Sequence, residues 1–326
     1  MMLSQFVRML AVAALVALVG CAPEEEGGAP KIALIMKAIS NPFFQTMADG
    51  ATSAAAELQI NLTTLSVPRE TDFDEQAKHV ENMIAQSMDA IVIAPADSKA
   101  IVSPLLEAQR KGIHIINIDN RIDTATAQQE GLKVLTFIGP DNAEGAEKST
   151  DYLIQVIGGK GQVVMLEGIR GVNNAEQRKA GFLRAVAKTN GAVTVAGMDT
   201  ANWAQDQGQE KMAALLTRFP NGAGVFCAND NMALGAIAAI ESAGKTGQVH
   251  VTAYDNLESA RQAILEGKID ATIEQHPFKM GYMGVEYALK AIRGETFPNE
   301  IRVPTDLITA ETIRADMKRA QENQSE

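Results

Sequence analysis

Short apolar runs along this 326-residue chain are followed, again and again, by side chains able to grip a polar molecule. KIALIM is followed by Lys37, Asn41, Phe43 and Phe44, and HIINI by Asp119, Asn120 and Arg121. QVVML leads to Glu167 and then to the stretch Asn173–Arg178; the next apolar run leads to Asp199 and Trp203, the single tryptophan. GVFC precedes Asn229 and Asp230, HVTAY precedes Asp255 and Asn256, and ATIE precedes Gln275 and His276. A sugar or polyol hydroxyl both donates and accepts, so carboxylate, amide and guanidinium groups used together can bracket neighbouring hydroxyls. Phe43, Phe44 and Trp203 offer flat apolar faces that suit the C–H faces of a sugar ring. In any single loop Asn and Asp serve equally well as helix caps. Their recurrence in both halves of the chain is what points to a polyhydroxylated ligand.

Catalytic chemistry has less support. The chain holds neither G-x-x-x-x-G-K-[ST] nor a strand-linked G-x-G-x-x-G, and no G-x-S-x-G elbow. His79, His114, His250 and His276 are scattered without metal-ligand spacing, so no metal and no cofactor is expected. His114 and His250 open apolar runs and read as structural. Asp119 and Asp255 can be cast as the acid pair of a glycoside hydrolase, but nothing marks a raised pKa or a cleft for a polymer. Asp72, Asp74 and Glu75 read as the solvated start of a helix.

The elements that must carry these side chains are legible as alternation. Ten strands are expected, at Lys31–Met36, Asn61–Val67, Ala90–Ala94, His114–Ile118, Val134–Ile138, Gln162–Leu166, Ala192–Ala196, Gly224–Cys227, His250–Tyr254 and Ala271–Glu274. Amphipathic stretches lie between them. DFDEQAKHVENMIAQSM places Phe73, Ala77, Val80, Ile84 and Met88 on one face, with Asp72 as its cap, and an alanine-rich helix runs from Asn231 to Ala243 before Gly244. Continuously apolar strands alternating with helices give an α/β chain whose parallel sheets are covered on both faces. Ten strands divide as five and five, giving two similar doubly wound, Rossmann-like lobes that meet near Gly139. Ligands of such sheets sit beyond the carboxyl ends of the strands, where the polar side chains fall.

The N-terminal end differs. Residues 1–20 hold one charge, Arg8, and an apolar stretch Leu10–Val19, too short to span a bilayer and consistent with a secretion signal. The sequence Leu18-Val19-Gly20-Cys21 resembles the lipobox of bacterial lipoproteins, which implies acylation at Cys21 and cleavage before it. Residues 21–30, with three consecutive glutamates and two glycines, read as a flexible tether. A formal net charge of −11 disfavours nucleic acid. Cys227, inside GVFCA, reads as a small buried hydrophobe, and two cysteines make no disulfide framework.

KIALIMKAISNPFFQTMADG, IINIDNRID, GVFCANDNMALGAI and ATIEQHP together resemble the periplasmic monosaccharide-binding proteins of ABC importers, over nearly all of residues 31–307. The resemblance implies two lobes joined by three hinge crossings, near Gly139, Gln275–His276 and Thr305–Asp306. Residues 31–138 plus 276–304 would form one lobe and 139–275 plus 305–326 the other. It implies ligand contacts at Lys37, Asn41, Phe43, Phe44, Asp119 and Asn120 in the first lobe. In the second it implies them at Arg178, Trp203, Asn229 and Asp255, with Gln275 at a hinge. Lys37 matches the allose type, Asn120 replaces an arginine of the ribose type, and Trp203 replaces its phenylalanine, a broader platform leaning toward a six-membered ring or cyclitol. Further implications are a monomer that closes on one monosaccharide or polyol (hexose, pentose or cyclitol) and presents it to a membrane permease, held at the membrane by lipid on Cys21. A binding module serving a chemoreceptor or a histidine kinase is the alternative partner arrangement.

Overall fold

A computed structural model describes residues 28–324; residues 1–20, Cys21 and most of the tether lie outside the described residues. The first half runs β1 (Lys31–Ile35), α1 (Pro42–Leu58), β2 (Asn61–Leu65), α2 (Phe73–Ala85), β3 (Ala90–Ile93), α3 (Val102–Arg110), β4 (His114–Ile118), α4 (Thr124–Glu130) and β5 (Thr136–Pro140). It continues through α5 (Asn142–Val156), β6 (Gly161–Glu167), α6 (Asn173–Ala187), β7 (Val193–Thr200), α7 (Gln205–Arg218), β8 (Gly222–Cys227) and α8 (Asp230–Ser242). The chain ends with β9 (His250–Thr252), α9 (Glu258–Leu265), β10 (Ala271–Glu274), α10 (Pro277–Ile292), β11 (Glu300–Val303), β12 (Asp306–Thr309) and α11 (Ala310–Gln324).

The strands form two sheets of matching topology, ordered β11-β5-β4-β3-β1-β2 and β12-β10-β9-β8-β6-β7. Pairing is parallel except where β12 runs antiparallel to β10. The expected split into five and five is present, and each sheet gains a sixth strand that the sequence reading missed. Those two are EIRV and DLIT, whose charged and polar residues hide the apolar signal; β11 sits at an edge, where one side needs no burial. The chain passes between the sheets three times: after Pro140, between β10 and α10, and between β11 and β12.

The central strands are fully buried because helices cover both faces: every residue of β3 and all but the first of β1 lie in the core. Helix α1 lies against α10 so closely that a Cβ at Gly50 would stand 2.0 Å from the Phe278 carbonyl oxygen, and one at Gly281 1.9 Å from that of Met47. Only glycine permits that approach. Gln76, on the buried side of α2, donates to the carbonyls of Met36 and Ala94 and accepts from the Ala96 amide. It thereby fixes the ends of β1 and β3, where the site begins. Asp72 does not cap α2 through its side chain; its carboxylate is taken by the amide and guanidinium of Arg69. The helix stops at Ala85 because Ser87 turns to φ 52°, so Met88 packs from beyond its end. Cys227 is buried, and desolvation drives its thiol pKa upward, as an inert core residue requires.

Candidate functional site

Between the carboxyl ends of the two sheets lies a cavity with an atom-free volume of about 240 Å³. Its wall is drawn from both lobes: Lys37, Asn41, Phe43, Phe44, Glu70 and Asp119 from one, Asn174, Arg178, Trp203, Asn229 and Asp255 from the other, and Gln275 at a crossing. Ten of the eleven ligand positions named from the sequence therefore meet at one place. Backbone geometry aims them. Asp119 (φ 61°), Trp203 (φ 65°) and Asp255 (φ 127°) all occupy positive φ, a conformation that costs a non-glycine residue free energy and that gathers at functional sites.

In the first lobe Asn41 caps α1, its Oδ1 accepting from the Phe43 amide while its Nδ2 donates to Glu70 Oε1 at 3.0 Å. It is thus a cap and a wall of the cavity at once. The rings of Phe43 and Phe44 stand edge to face, centroids 5.1 Å apart, and both line the cavity. Lys37 is 2 % exposed and lies 3.5 Å from Asp119 Oδ2 and 3.8 Å from Glu70 Oε2. Its ammonium also approaches the ring of Trp203, 5.9 Å from the centroid. Burial raises the pKa of Glu70, with the Lys37 charge opposing the shift.

In the second lobe Arg178 has its donors spread over the site. Nε donates to Asn142, Nη1 to the Ala228 carbonyl at 2.7 Å, and Nη2 to Gln275; Asp255 Oδ1 is 3.5 Å from Nη1. Its guanidinium lies 3.7 Å from the centre of the Tyr254 ring. Gln275 Nε2 donates to Asp255 Oδ1 at 2.6 Å. Burial raises the Asp255 pKa well above the carboxylate range, Arg178 opposing. Asn229 caps α8 and donates to the Trp203 carbonyl. Gly168 backs Trp203 so tightly that a Cβ there would meet the indole at 2.1 Å.

Three buried polar atoms of this cavity have no hydrogen-bond partner: Asp119 Oδ2, Asn174 Oδ1 and Trp203 Nε1. Among the described residues only Thr136, Thr252 and Tyr254 share that condition elsewhere. A buried unpaired polar atom is costly and needs a reason. Two acceptors and a donor facing one cavity are matched by hydroxyl groups.

Asn120 does not belong to this wall. Its Nδ2 donates to the Pro95 carbonyl and to Ser98 Oγ, and its Oδ1 accepts from the Asn174 amide. The positive φ of Asp119 turns the chain so that Asp119 faces the cavity and Asn120 faces away. Arg121 likewise stays outside, stacked 3.8 Å from the Phe137 ring centre and paired with Glu300. Two wall residues were missed. Glu70 follows β2 in PRETD, where an acid before a helix reads as a dipole partner; its place after a strand end was the available signal. Asn174 fell inside a stretch singled out only as a whole. Among the described residues no cluster of three or more His, Cys, Asp or Glu side chains could hold a metal, and no helix is long and apolar enough to cross a membrane.

A model of the periplasmic binding protein domain matches residues 32–296. The chain is 37 % identical to the D-ribose/D-allose-binding protein of Pseudomonas aeruginosa, over 86 % of this chain and 89 % of that one. It is 31 % identical to the D-allose-binding periplasmic protein of Escherichia coli, over 83 % and 87 %. A solved ABC transporter solute-binding protein from Actinobacillus succinogenes, with bound D-allose, superposes with a TM-score of 0.82 at 39 % identity, covering 86 % of this chain and 98 % of that one.

Proposed function

This chain belongs to the periplasmic binding protein domain family, and more closely to the sugar-binding proteins of ABC importers; from that premise we propose that it takes one monosaccharide or polyol into the cavity between its lobes. The observation that carries the proposal is the convergence of Asp119 Oδ2, Asn174 Oδ1 and Trp203 Nε1, none with a hydrogen-bond partner, on a cavity walled by three aromatic rings. A sugar supplies each missing partner, and its C–H faces meet Phe43, Phe44 and Trp203. Lys37, Glu70 and the width of Trp203 favour a hexose, and D-allose, the sugar named for several relatives, leads the candidates.

Binding groups are divided between the lobes, so each lobe alone holds half a site. Ligand bridges them and shifts the population toward the closed form, the hinge mode of switching. An ABC permease then reads that form, with the protein, a monomer and not an enzyme, working in the periplasm or at the cell surface. Acylation at Cys21 keeps it beside the permease; one acyl chain anchors weakly, so lipoprotein-type multiple acylation is needed for stable attachment. The test is a thermal-shift screen of pentoses, hexoses and cyclitols, since a ligand of the folded state raises the apparent melting temperature. Hits are followed by small-angle scattering for compaction. A panel without a single binder, or a tight binder without compaction, refutes the corresponding part of the proposal.

A further inference from the structure

Helix α6 carries Asn174 and Arg178 into the cavity, yet its own N-terminus is uncapped within its lobe. The N-cap position is Val172, whose side chain has no acceptor, and no side-chain cap bond forms there. The acceptors come from the opposite lobe. Ser98 Oγ accepts from the Asn173 amide at 3.0 Å, and Asn120 Oδ1 accepts from the Asn174 amide at 3.1 Å. Both acceptors are buried and held in place: Asn120 Nδ2 bonds the Pro95 carbonyl and Ser98 Oγ, and Asn117 Nδ2 bonds the Asn120 carbonyl.

We infer that Ser98 and Asn120 are an interlobe latch that caps α6 in trans. Two amides at the start of α6 gain protein acceptors only when the lobes meet, and the partial positive charge of the helix end then faces two oxygens. The latch rests on the reading that the lobes close around a sugar. It adds to that reading a closure energy independent of the sugar, supplied by residues that do not line the cavity. Ser98 and Asn120 are therefore positioning residues: they set how easily the competent state is reached, and the apparent affinity scales with that population. Ser98 is not among the cavity's lining residues and its hydroxyl bonds Asn173 and Asn120, which are not lining residues either, so its effect is common to every sugar bound.

The experiment is Ser98→Ala, titrated by calorimetry against each sugar that the thermal-shift panel identifies. The latch requires weaker binding by roughly 2- to 10-fold, the net worth of one hydrogen bond, with the same factor for all sugars; the unliganded melting temperature reports separately the bond that Ser98 Oγ accepts from Asn120 within its own lobe. Unchanged affinity, or factors that differ between sugars, overturns it. Amide exchange on the unmodified protein supplies a readout that needs no variant: Asn173 and Asn174 must exchange rapidly without sugar and become protected with it. Equal exchange in both states overturns the latch while leaving sugar binding intact. A panel with no binder removes the sugar reading and the latch together.

Discussion

Replacing Asp119 is the most informative perturbation of the site. Its carboxylate is 2 % exposed, its Oδ2 has no hydrogen-bond partner, and it forms an ion pair with Lys37 at 3.5 Å. A hydrogen bond to a charged group contributes about 1.5–3 kcal/mol. If Asp119 accepts from two hydroxyls, Asp119→Ala removes roughly 3–6 kcal/mol, or about two to four orders of magnitude in Kd. Asp119 sits at φ 61°, a region an alanine enters at a cost of about 1–2 kcal/mol, so the alanine variant also loses folding stability. Asp119→Asn separates the two effects. Asparagine tolerates the same φ and keeps the shape, so its unliganded melting temperature should stay near the parent's while binding falls by about one to two orders of magnitude, reflecting the lost charge. Isothermal calorimetry with D-allose or the best sugar of the panel reads the affinity, and differential scanning calorimetry reads the stability. A Kd within threefold of the parent for Asp119→Asn and for Asp119→Ala would refute the assignment of Asp119 to the ligand.

Gly168→Ala should weaken sugar binding by at least about tenfold without touching ligand, because its Cβ would push the Trp203 indole from its place; quenching of the single tryptophan during titration follows it directly, and parent-like affinity would count against Trp203 as a platform. Asp230 is buried, accepts from the Leu257 amide and Thr272 Oγ1, and burial pushes its pKa from 3.8 up to about 7. The folded state therefore binds the proton more tightly than the unfolded chain, so the stability it contributes is present at low pH and falls as pH rises from about 4 toward 7. Asp230→Asn should flatten that fall in melting temperature; an identical slope in the variant would show that Asp230 is not the group responsible. Cys21→Ser should move the protein from the membrane fraction to the soluble fraction on cell fractionation, and retention in the membrane would remove the lipid-anchor proposal.

Much of the architecture was legible in the chain because it rests on local chemistry. Continuous apolar runs such as IALI and AIVI demand burial on both faces, and alternation with amphipathic helices then permits little besides covered parallel sheets. The carboxyl ends of those strands are where side chains escape the sheet, so Lys37, Asp119, Asp255 and Gln275 could be named by position alone. What the residues could not say is which way each loop turns. Asp119 and Asn120 are neighbours of similar size and polarity, yet one faces the cavity and the other bonds the far lobe. A single positive φ decides between them, and the stretch IDNR carries no mark of it. Glu70 escaped notice for the same reason, since its value comes from lying beside Lys37 and Asn41, residues about thirty positions away. β11 and β12 are strands only because a sheet edge is waiting for them. Local patterning determined the layers, the strand ends and the kind of ligand they suit. Only packing of one lobe against the other decided which polar atoms were left without partners, because that depends on distances between residues that no sequence spacing records.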